Sequence, residues 1–105
     1  TGLLENPASP VLEGFEGEPA TLRRALAVCR RIEEGSGGRV RRLVEVTPLD
    51  YAAEVVVAGR VRTIHVRPSG SRAEDRWCAL SRNGRSPWTW ADLRHDRRMV
   101  VGGAS

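Results

Sequence analysis

The apolar positions change their spacing several times along the chain, and each change marks an element. Residues 1–18 hold no sustained period. Gly2, Pro7, Pro10, Gly14 and Gly17 interrupt scattered glutamates, so this stretch reads as an irregular arm anchored by Leu3, Leu4, Val11, Leu12 and Phe15. From Pro19 to Glu34 the spacing becomes helical: Leu22, Ala25, Leu26, Cys29 and Ile32 recur every three to four residues, with Arg23, Arg24, Arg30 and Arg31 on the opposite side. Pro19 suits a first helical turn, and the Gly-Ser-Gly-Gly segment opened by Gly35 ends the helix.

Arg39 to Thr47 alternates as a strand, with Val40, Val44 and Val46 on one side and Arg41, Leu43 and Glu45 on the other, and Pro48 stops it. Ala53 to Arg67 reads as a hairpin turning at Ala58-Gly59, where glycine supplies positive φ between two Val-rich runs. After the break at Pro68-Ser69-Gly70-Ser71, Asp75 to Arg82 reads as a further strand. Asn83-Gly84 then gives a strong two-residue hairpin signal, which would put Trp77, Trp88 and Trp90 on one face. A competing pattern starts a helix at Ser86-Pro87 or Thr89, because Thr89-x-x-Asp92 has the form of a capping box. The preferred reading takes the strand to about Trp88 and a short helix from Thr89, with Val100 and Val101 in a last short strand.

These elements predict an acidic arm over 1–18 and one domain over 19–105. Its fold class is α+β: an antiparallel sheet of three to five strands, one long amphipathic helix packed on one face, and a short C-terminal helix. The order of elements resembles the α-β-β-β-α run of the double-stranded RNA-binding domain. The likeness is of topology alone, since that family grips phosphate with lysines at the start of its last helix and Arg85 is the nearest basic residue here.

Composition narrows the chemistry. All 17 basic residues are arginine, so a phosphate-binding loop that needs lysine, a Schiff-base lysine and the usual restriction-type nuclease site all fit poorly. A GC-rich bacterial genome accounts for such a bias without any ligand. Position says more than number. The first 19 residues carry a net charge of −4 and the remainder +8, and such a body attracts polyanions and acidic protein surfaces. The acidic leader either aids solubility or lies across the basic surface.

Cys29 and Cys78 are far apart, fit no metal-ligand spacing, and read as buried thiols, with a disulfide left open. His65 and His95 have no sequence neighbour that makes a catalytic partner. No metal, no cofactor and no enzyme activity are expected. The apolar runs are too short for a membrane helix or a signal peptide, which points to no membrane partner and a cytoplasmic location.

The main candidate site is Trp77, Trp88 and Trp90 with Arg76, Arg82 and Arg85, since indoles stack on bases and guanidinium groups grip phosphates. Arg23, Arg24, Arg30 and Arg31 form a secondary basic stripe, and Arg67-Pro68-Ser69-Gly70-Ser71-Arg72 has the composition of a small anion-binding loop. The expectation is a small non-enzymatic binding module for nucleic acid or an acidic protein surface. The alternative is a protein-interaction or regulatory domain, homodimeric or part of a larger chain, with no nucleic-acid role.

Overall fold

The computed structural model describes residues 10–15, 17–85 and 87–104. In chain order it runs β1 (Val11–Glu13), α1 (Pro19–Ser36), β2 (Arg39–Thr47), β3 (Asp50–Val57), β4 (Arg60–Val66), α2 (Arg72–Arg82), β5 (Trp88–Asp92) and β6 (Val100–Ala104). The chain is α+β, as its spacing predicts, and no helix among the described residues is long and apolar enough to cross a membrane.

From α1 to β4 the elements fall where the spacing predicts. Helix α1 buries Ala25, Val28, Cys29 and Ile32 and ends at Gly37, two residues later than the glycine-rich segment suggests, because Ser36 fits the last turn by donating its hydroxyl to the Ile32 carbonyl at 2.7 Å. Ala58 and Gly59 both adopt positive φ and fold β3 back on β4, with Val57 opposite Arg60. Strand β2 has its expected bounds, but a register irregularity between Val40 and Arg42 breaks the simple alternation. Val40 and Leu43 therefore point into the core together, and Val44 falls on the other face.

The second half departs from expectation at α2. The segment expected as a strand over 75–82 is helical, because Ala73, Trp77, Cys78 and Ser81 are buried at helical spacing. Ser71 caps this helix by accepting from the Glu74 amide at 3.0 Å. Asn83-Gly84 is the helix's end and not a hairpin turn. Gly84, at φ 70°, donates to the Ser81 carbonyl at 3.1 Å, and Arg85 donates to the Leu80 carbonyl at 2.7 Å. With the turn spent there, residues 88–92 form a strand where a helix from Thr89 was expected. The alternative helix start at Ser86 lies outside the described residues.

Among the described residues the sheet is six-stranded and mixed, in the order β1-β2-β3-β4-β5-β6, and is larger than the three to five antiparallel strands expected. Helix α1 carries the chain from β1 to β2 and α2 carries it from β4 to β5, and these two pairs are parallel. Part of the segment expected to be irregular is thus the edge strand β1, while residues 1–9 and 16, Leu3 and Leu4 among them, lie outside the described residues. The run α1-β2-β3-β4-α2 keeps the α-β-β-β-α order inside a wider sheet.

Register divides the side chains into two faces. On the inner face Leu12, Leu43, Ala53, Ile64, Ala91 and Val101 form one row across all six strands and pack with residues of both helices in a single core. Phe15 closes one side of this core, its ring edge-on to Tyr51 at 5.1 Å. The outer face holds the parallel row Val11, Arg42, Glu54, Thr63, Trp90 and Gly102, and neither helix contributes to it.

Candidate functional site

The structure divides the tryptophan and arginine residues singled out from the sequence. Trp77 sits on the inner side of α2, 1% exposed, and belongs to the core. Trp88 and Trp90 lie two residues apart on β5 and so share the outer face, with Trp90 43% exposed. One platform of three indoles therefore does not form, because helix α2 carries Trp77 to the other side of the sheet. Arg82 reaches back to the last turn of α1 and donates to the Glu34 and Gly35 carbonyls, so it ties the two helices together. Arg76 and Arg85 are exposed.

The basic stripe on α1 is also divided. Arg23, Arg24 and Arg30 face outward, whereas Arg31 turns toward α2. It holds the buried Glu74 carboxylate through two bonds of 2.6 and 2.7 Å and donates to the Arg67 and Pro68 carbonyls. This arginine orders the loop before α2 and is committed to structure.

The outer face carries charges that neutralise one another. Arg42 pairs with Glu13, and Arg41 grips Glu54 at 2.7 Å. Further along, Arg94 holds both oxygens of Asp92 at 2.7 and 2.8 Å and reaches Asp50 at 2.9 Å. The Arg94 guanidinium keeps the Asp92 carboxyl at about 2, well below its usual range, and the pair of carboxylates raises Arg94 in turn. Each histidine faces one of these carboxylates, His65 Nδ1 at 3.6 Å from Asp50 and His95 Nε2 at 3.9 Å from Asp92. Asp92 stands only three residues before His95 in the chain, whereas Asp50 comes near His65 through the pairing of β3 with β4.

Neither histidine approaches a thiol, because both cysteines lie in the core on the inner side. Cys78 borders a cleft of about 610 Å³ between α1 and α2, lined also by Ala27, Gly35 and Ala79. Burial first, and then the charges of Glu74 and Asp75, push its thiol up to about 12, so it is not an activated nucleophile. Cys29 is pushed up to about 11, again mainly by burial. Among the described residues there is no group of three His, Cys, Asp or Glu side chains placed to hold a metal ion.

The two edges of the sheet differ. β1 is only three residues long and ends in Glu13, while β6 (Val100–Ala104) is longer and contains no charged residue and no proline. Its one irregularity is Gly103, at φ 67°. Beside it the Trp90 indole packs on Gly102, where an added Cβ would collide with the ring. Only glycine allows that approach. Sequence reading placed β6 but not its position at an edge, because the order of strands in a sheet depends on long-range pairing. No family model matches the sequence, and no curated protein matches it.

Proposed function

We propose that this chain is a non-enzymatic protein-interaction module whose partner adds an extended segment to the free edge of β6, with Trp90 as the anchoring side chain. The observation that carries this reading is an uncharged edge strand beside a half-exposed indole. Exposed edges offer unpaired N–H and C=O groups to another strand, and proteins ordinarily blunt them with charge, proline or shortness, as β1 does here. Tryptophan is enriched among residues that dominate interface energetics. The neighbouring valines Val100 and Val61 are also exposed on this face, while its arginines are already paired with carboxylates.

A second reading, nucleic-acid binding, keeps one observation in its favour. Arg23, Arg30 and Arg76 are exposed on the helical side and have no carboxylate partner among the described residues. The two readings use different surfaces and are separable. Peptides selected from a random library on the purified chain are expected to protect β6 amides from hydrogen exchange and to shift Trp90 fluorescence. Val100→Lys and Trp90→Ala should each weaken such binding about tenfold without unfolding the chain. Peptide binding that ignores both substitutions would refute the edge reading. Salt-dependent binding of RNA or DNA, lost on neutralising Arg23, Arg30 and Arg76, would favour the second.

A further inference from the structure

The segment between β5 and β6 reads Leu93-Arg94-His95-Asp96-Arg97-Arg98-Met99, and the fold lays it against the loop that connects β4 to α2. Together they line an open cleft of about 470 Å³ formed by Arg67, Arg94, His95, Asp96, Arg97 and Arg98. From this arrangement we propose that the cleft is a binding site for a small phosphate-bearing ligand with two or more negative charges. It does not depend on the β6 edge or on the protein-interaction reading.

The lining residues play different parts. Arg94 is saturated by Asp92 and Asp50 and serves as a fixed wall. Arg67 is partly committed: one nitrogen donates to the Gly70 carbonyl at 3.0 Å and to Asp96 at 3.1 Å, while its Nε is buried without an acceptor. Arg97 and Arg98 are exposed and have no hydrogen-bond or carboxylate partner among the described residues. Two guanidinium groups are thus free to close on a ligand. Setting Asp50, Asp92 and Asp96 against Arg67, Arg72, Arg94, Arg97 and Arg98 leaves an excess of two positive charges.

The cleft already holds one anionic group of the chain itself. The Asp96 carboxylate accepts from Arg67 Nη2 and from the backbone amide of Arg72, both at 3.1 Å, and these contacts lower its pKa. An oxyanion therefore has a demonstrated seat between a guanidinium and a main-chain donor, and Arg97 and Arg98 stand beside it. Guanidinium forks match the oxygens of phosphate as they match those of a carboxylate, and a ligand with two or more charges can engage both free arginines at once. The small volume suits a diphosphate or short oligophosphate better than a nucleic-acid groove.

The test is calorimetric titration of the whole chain with inorganic pyrophosphate at low and moderate salt. Saturable one-site binding is expected, weakened about tenfold or more in an Arg97→Ala, Arg98→Ala double variant. Asp96→Asn removes the competing charge and keeps an acceptor for the Arg72 amide, so it should tighten binding severalfold. Asp75→Asn, an equal change of net charge at an exposed position on α2, should not. Three outcomes would overturn the proposal: no saturable binding, loss of binding unrelated to Arg97 and Arg98, or equal tightening by Asp75→Asn and Asp96→Asn. Binding to anionic vesicles or to RNA without binding to pyrophosphate would overturn it too, and would make the cleft part of an extended polyanion surface.

Discussion

The inner and outer faces of the sheet are made by the same strands at alternating positions, yet arginine does opposite work on each side. Where the helices cover the sheet, Arg31 and Arg82 spend their hydrogen bonds on α2, on the loop before it and on the end of α1, and so fasten the helical layer. On the uncovered face, Arg42 and Arg94 lie against carboxylates and leave that surface close to neutral. The chain's formal net charge of +4 therefore describes neither face. What remains free to meet a partner is a smaller set, chiefly Arg23, Arg30, Arg76, Arg97 and Arg98.

The largest effect that would sharpen this contrast comes from the inner tryptophan. Trp77→Ala empties a site that is 1% exposed and is expected to cost about 3–5 kcal/mol, read as a fall in the urea midpoint. Glu74→Ala comes next. It strands Arg31 beside two carbonyls and should cost about 2–3 kcal/mol, less than a fully buried pair because Arg31 is one-third exposed.

A smaller effect belongs to the outer face and depends on pH. Asp92 titrates at about 2 in the folded chain, below its ordinary value of 3.8, so its contribution is whole above about pH 4 and is lost as pH falls toward 2. Acid denaturation followed by circular dichroism should show this window, and Asp92→Asn should remove it. The smallest effect is that of Trp90→Ala on folding, expected within about 0.5 kcal/mol. A large loss of stability there would break the comparison, because it would make the outer indole part of the core.

The run from α1 to β4 was legible in sequence because its signals are local, whereas β1 was not, since three residues show no period. The 3.6-residue stripe of α1 and the Ala58-Gly59 turn each act over a few neighbouring residues. The region from Ser71 to Asp92 misled for one physical reason. Positive φ is demanded equally by a tight hairpin and by a helix C-terminus, and Asn83-Gly84 satisfies either. The deciding signal lay upstream, in Ser71-x-x-Glu74, which has the same capping form as Thr89-x-x-Asp92 but precedes a stripe of Ala73, Trp77 and Cys78. Once α2 is a helix, Trp77 cannot share a face with Trp88 and Trp90. The charged segment at 94–98 drew no reading as a site from sequence, because its approach to Arg67 depends on β4 and β5 lying side by side.

The two buried thiols turn the contact between the helical layer and the sheet into something that can be timed. Cys29 and Cys78 are shielded in the native state and almost wholly protonated at neutral pH. An alkylating reagent must therefore wait for the protein to open, and its reaction rate counts those openings. If the helices lift away as one unit, both cysteines will be modified with a single time course. If α2 detaches first, Cys78 will react ahead of Cys29, and the molecule will have reported the order in which it comes apart.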